Sequence, residues 1–139
     1  MKRTFTTALL AAASLMVPVG VSAQSRQQAT IPFDFTVGQR LLPAGTYVIR
    51  PLGPGVIAVR GWKENELVSA TTLITSANEV SKNPDTLVFH RYGDQYFLSE
   101  IRGDLGENVG RVATSKLEQR VQLQRAEGAI RDKTLISLK

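Results

Sequence analysis

The chain has 139 residues, 42% of them hydrophobic, no cysteine, and 17 Lys and Arg against 12 Asp and Glu, for a formal charge of +5. Without cysteine there are no disulfides, thiolate metal sites, thiol nucleophiles or thiol redox chemistry, so apolar packing has to hold the fold. No run of Lys or Arg is interleaved with aromatics, which leaves the basic balance without the footprint of a nucleic-acid binder.

Lys2 and Arg3 precede an apolar stretch, Ala8–Val17, and Val21-Ser22-Ala23 supplies the small residues a signal peptidase reads. The expectation is a cleaved signal peptide over residues 1–23, cut between Ala23 and Gln24, and a secreted or periplasmic bacterial protein. Pro18 and Gly20 interrupt the run short of a membrane span, and no cysteine follows to carry a lipid, so no stable membrane anchor is expected. A retained signal anchor is the alternative. Removing 23 residues from 139 leaves 116, one domain's worth, and losing Lys2 and Arg3 lowers the charge from +5 to +3.

Residues 24–30 are polar and read as a flexible lead-in to a single domain over 31–139. Ile31, Phe33, Phe35 and Val37 then alternate with other residues at period two, a half-buried strand ended by Gly38, with Pro32 suggesting an edge. Leu41–Gly45 reads as a turn and Thr46–Arg50 as a strand. Pro51, Gly53, Pro54 and Gly55 break the chain before the strand Val56–Arg60. Trp62–Glu66 is a charged link, and Leu67–Ile74 a β-branched fourth strand.

After a polar stretch over Ser76–Asp85, Thr86–Ile101 carries the densest apolar and aromatic sequence. It reads as a hairpin closed by a type II′ turn at Gly93-Asp94. That register sets Tyr92 opposite Gln95, Arg91 opposite Tyr96, His90 opposite Phe97, Phe89 opposite Leu98 and Glu100 opposite Leu87. Gly103–Gly110 reads as a loop. Ser115 and Glu118 fit a capping box that opens a helix over about 115–127, with Gly128 just past its end and Leu117 and Val121 as its apolar contact. Lys133–Leu138 is a last short strand. Seven short strands with Gly/Pro turns predict a mainly β fold: a small antiparallel β-sandwich or partly closed β-barrel, with one C-terminal α-helix packed on it.

His90 is the sole histidine, so it is the only base available to a Ser-His-Asp arrangement. Its simpler reading is a half-buried histidine among aromatics, hydrogen-bonded to backbone or a neighbouring side chain. Asp34 is expected to face solvent between Phe33 and Phe35, and Glu100, with Arg102 nearby, to be surface charge. Asp104, Glu107 and Asn108 offer oxygens for calcium without EF-hand spacing, and an ordinary loop is the simpler reading. No cofactor or metal is expected. The aromatics Phe33, Phe35, Tyr47, Phe89, Tyr92, Tyr96 and Phe97 either line an apolar ligand cavity or fill a solid core. Trp62 is either an exposed contact residue or folded back over a sheet edge.

At Ile31–Tyr47 (IPFDFTVGQRLLPAGTY) and Leu87–Ile101 (LVFHRYGDQYFLSEI) the chain resembles a family of small secreted bacterial proteins. They share an F-x-F-x-V-G…L-P-A-G-x-Y opening and an L-V-F-H-R-Y-G-x-x-Y-F-L centre, and often a Ser-Lys-x-Glu helix start, matched here by Ser115-Lys116-Leu117-Glu118. The resemblance implies no activity, substrate or cofactor, and no functional residue carries over from it.

These readings lead to an exported, non-catalytic β-domain with a binding or structural role in the envelope or outside the cell. Its expected partner is an envelope or extracellular protein or polymer, or another copy of itself joined through edge strands at Ile31–Val37 or Lys133–Leu138. The ligand-binding candidates are His90, Tyr92, Tyr96 and Trp62. The alternatives are a β-barrel carrier of an apolar small molecule and, last, a hydrolase-like enzyme using His90.

Overall fold

The computed structural model describes residues 27–77, 85–103, 109–125 and 132–139. The expected signal peptide with its Ala23/Gln24 cut, the calcium candidates Asp104, Glu107 and Asn108, and Gly128 lie outside the described residues. So does most of the polar stretch before the central hairpin.

Among the described residues the chain is mainly β, with ten strands and one helix. They are β1 (Gln27–Ile31), β2 (Phe35–Val37), β3 (Arg40–Leu42), β4 (Gly45–Gly53), β5 (Val56–Lys63), β6 (Glu66–Ala77), β7 (Thr86–Tyr92), β8 (Gln95–Arg102), β9 (Val109–Val112), α1 (Lys116–Gln124) and β10 (Asp132–Ser137). β1, β4, β5 and β6 form one antiparallel run, and β6 continues through β9 to β8. β8 carries β7 and then β10 on its other edge, while β2 pairs with β8 in parallel at Thr36 and Phe97 and holds β3 outside it. The ladder curls but does not close. Its two ends, β1 and β10, meet through one residue pair just past β10, where Gln28 N donates to Lys139 O (3.1 Å) and Lys139 N to Gln28 O (2.8 Å). Among the described residues no helix is long and apolar enough to cross a membrane.

One core fills the curl. Ile49, Ile57 and Val59 from one side meet Leu87, Phe89 and Ile101 from the other, with Phe35 between them, all nearly inaccessible. The rings interlock: Phe35 meets Tyr47 (centroids 5.1 Å) and Phe89 (5.5 Å) edge to face, and Phe33 meets Phe89 likewise at 5.3 Å. Each large side chain buried this way contributes about 1.5–3 kcal/mol. Of the two uses open to these aromatics, the described interior corresponds to filling.

Several boundaries differ from the sequence expectation, each for a physical reason. β1 begins at Gln27, inside the stretch read as a lead-in, because Gln27 and Ala29 alternate inward with Ile31 against β4. The single strand expected over Ile31–Val37 is two, broken where Pro32-Phe33-Asp34 leaves the ladder. Asp34 is exposed as expected, and its Oδ1 accepts from Ala44 N at 2.8 Å, pinning the Pro43-Ala44 turn to this break. Leu41 and Leu42, read as turn, belong to β3. The link Trp62–Glu66 is a tight hairpin, with Glu64 and Asn65 at φ of 50° and 67° and Lys63 opposite Glu66. Val109 and Gly110, read as loop, pair with β6 and β8.

The central hairpin keeps its expected register from Tyr92–Gln95 to Phe89–Leu98, with Gly93 at φ 63°. Beyond that point Ser99 is an extra residue on β8, and Glu100 faces Val88 rather than Leu87. The bulge is held by Ser99 Oγ, which donates to Val88 O at 3.1 Å.

Candidate functional site

The bulge positions the site. Past it, Glu100 lies beside Arg111 of β9 and Val88 of β7, while His90 lies between Phe97 of β8 and Lys133 of β10. These pairs bring polar side chains to the side of the sheet that α1 covers. Ser115 caps the helix, its Oγ accepting from Glu118 N at 3.1 Å, as the capping box requires. The return half of that box is replaced. Glu118 is buried, and its Oε1 accepts from Tyr92 Oη at 3.0 Å and lies 2.8 Å from His90 Nδ1. A carboxylate only accepts, so Nδ1 is the donor. Gln122, one turn on, donates from Nε2 to Tyr92 Oη at 2.8 Å. Val121 completes the contact with Tyr92 and Phe97. The expected apolar pair Leu117 and Val121 is therefore half right: Val121 is buried, while Leu117 is exposed. At the helix end, the Arg125 guanidinium covers Gly93 where a Cβ would sit.

Beside this network is a cavity of about 340 Å³, lined by His90, Ser99, Glu100, Arg111, Val112, Thr114, Glu118 and Lys133. Glu100 sits at its centre of charge. Its Oε2 accepts from Arg102 Nε (3.1 Å) and Nη2 (2.8 Å), and Lys133 Nζ stands 3.8 Å from Oε1. Partial burial pushes the Glu100 carboxyl up, but the Arg102 hydrogen bonds and charge, with Lys133 and Arg111, outweigh it and hold the carboxyl below its ordinary value.

His90 is 8% exposed and hydrogen-bonded to a side chain. An imidazole held by a carboxylate is the orienting half of a hydrolytic triad. Ser99, which lines the same cavity, donates its hydroxyl to the Val88 carbonyl. Among the described residues no group of three or more His, Asp or Glu is placed to hold a metal ion.

Of the residues singled out from sequence, His90 and Tyr92 come together here, their rings 6.4 Å apart. Tyr96 does not join them; it stacks on Phe33 (3.8 Å) at the border of the main core, with Arg91 Cζ 5.7 Å from its ring centre. Trp62 is elsewhere, 71% exposed near the β5–β6 turn and opposite Leu67, itself 50% exposed. Glu118, Gln122, Arg111 and Lys133 were not anticipated as site residues. The helical spacing held the clue for two of them: if Val121 faces the sheet, then Glu118 and Gln122 flank it on the same side. Compared with protein-family models, curated proteins and solved structures, the chain matches none.

Proposed function

We propose that this is an exported, non-catalytic β-domain that binds a polar ligand or polymer of the cell envelope in the cavity beside α1. The N-terminal pattern of Lys2-Arg3, Ala8–Val17 and Val21-Ser22-Ala23 supports export. The observation that carries the binding reading is the cavity itself, whose His90 and Glu118 are already fixed by their hydrogen bond to each other and by the one Glu118 accepts from Tyr92 behind the wall. Preorganised polar groups lose little freedom on binding, which suits recognition. The apolar-carrier reading has less support, since the aromatics that would line its cavity are interlocked with one another. The hydrolase reading has less support too, since the hydroxyl of Ser99, the serine lining the cavity, is donated to the Val88 carbonyl.

Native mass spectrometry of the mature protein, purified from its own source, tests the reading. A stoichiometric polar adduct that is lost on His90→Ala in a folded variant is the expected result. An apolar adduct unaffected by that substitution would sink it in favour of the carrier. The protein mass also checks the cut before Gln24.

A further inference from the structure

A second surface lies away from the cavity, on the outer face of β1, β4, β5 and β6. Alternate residues of a strand point to opposite faces, and Ala29, Tyr47, Ile49, Ile57, Val59 and Ala70 turn into the core. The residues between them turn outward, and the register sets them in rows. One row runs from Thr30 and Thr46 to Trp62 and Leu67, and the next from Gln28 and Val48 to Arg60 and Ser69. Arg50, Ala58 and Thr71 form a third, and Val56 with Leu73 ends the face. Trp62, Leu67 and Leu73 are each at least half exposed, with Arg60, Thr46 and Thr71 exposed beside them. Among the described residues these rows hold two arginines and no carboxylate.

Tryptophan and arginine among aliphatic side chains, with no lysine, aspartate or glutamate, is the composition of the centre of a protein–protein interface. Four strands about 4.8 Å apart with outward residues about 6.8 Å apart give a face of roughly 19 by 24 Å, or about 450 Å², the size of a transient contact. Charge selects among the occupants. A second copy on the same face would bring two more arginines and no carboxylate to answer them. Two arginines are fewer than the roughly four to eight cations that hold a protein at an anionic bilayer, and the exposed Glu64 and Glu66 at the adjoining β5–β6 turn would oppose one. We propose that this face docks another protein, one that presents a carboxylate to Arg60 within an apolar patch seated on Trp62 and Leu67. The proposal stands apart from the cavity and its ligand.

The test places the photo-cross-linking side chain of p-benzoylphenylalanine at Leu67 of the full chain in its own source, with Leu123 of α1, also exposed, as the control position. The expected result is one cross-linked protein from Leu67 and none from Leu123. That protein, purified, should bind the mature chain in calorimetry with a Kd of about 1–100 μM. Trp62→Ala should weaken this binding about tenfold and Arg60→Gln about three- to tenfold, and added salt should weaken it as well. Both positions are exposed, so both variants should keep the fold, which circular dichroism checks. An adduct of twice the chain's mass would overturn the proposal in favour of self-association, and lipid or glycan adducts alone would overturn the protein partner. Equal cross-linking from Leu123, no adduct at all, or binding indifferent to both substitutions would each overturn the docking surface.

Discussion

Glu118→Ala is the most informative perturbation of the site. The substitution removes the acceptor of two buried hydrogen bonds, from Tyr92 Oη at 3.0 Å and with His90 Nδ1 at 2.8 Å. Hydrogen bonds to a charged acceptor contribute about 1.5–3 kcal/mol each, and deleting one partner of a buried pair costs about 3–5 kcal/mol. Losing an acidic residue from the first helical turn adds about 0.3–1 kcal/mol. Tyr92 keeps its bond from Gln122 Nε2, which limits the loss at that ring. The expected destabilisation is about 3–5 kcal/mol, or roughly 12–20 °C in Tm at about 4 °C per kcal/mol for a domain of this size. Urea denaturation followed by circular dichroism measures it. His90→Ala in a double-mutant cycle isolates the pair, with an expected coupling of about 1–3 kcal/mol. A loss below about 1 kcal/mol for Glu118→Ala, or full additivity with His90→Ala, would refute the claim that this network docks the helix.

Two further predictions test the framework around the site. At Gly61 an added Cβ would lie 2.7 Å from two Tyr47 ring carbons and 2.8 Å from the Thr46 carbonyl oxygen, while Tyr47 Oη is tied to Pro43 O at 2.6 Å. Gly61→Ala should therefore cost about 1–3 kcal/mol in urea denaturation, whereas Gly45→Ala, whose nearest neighbour would be 3.7 Å away, should cost far less. Glu100 has a carboxyl held below its ordinary value of 4.5, so its contribution to stability is present above that value and lost as pH falls through the lower folded one. The stability gap between the protein and Glu100→Gln should thus narrow as pH is taken below 4.5; a gap that widens on acidification would contradict the cation cluster.

Much of the architecture can be read from residues alone where one local signal dominates. Gly93-Asp94 between aromatic arms sets the hairpin register as far as Phe89 and Leu98, and Ser115 with Glu118 marks where α1 starts. The reading fails where tertiary contacts outvote local pattern. Nothing in Ser99 marks it as a bulge, yet that one extra residue moves Glu100 from Leu87 to Val88 and so into the cavity. The even alternation from Ile31 to Val37 conceals the break at Pro32-Phe33-Asp34, since Phe33 still finds an aromatic partner in Tyr96 outside the ladder. Glu118 looks like a complete capping box from sequence, and only the docking of α1 redirects its carboxylate to His90 and Tyr92. The cavity has no sequence signature, because Arg111 and Lys133 are brought to one cavity beside Glu100 from separate strands, β9 and β10.

The central claim, that the cavity beside α1 is the binding surface, is tested most directly by amide chemical-shift mapping of the labelled mature protein titrated with the polar adduct recovered in the native mass experiment. The expected shifts cluster at His90, Ser99, Glu100, Arg111, Thr114 and Lys133 and saturate together. Shifts confined to the exposed Trp62–Leu67 tip, or no saturable shifts around the cavity, would contradict it.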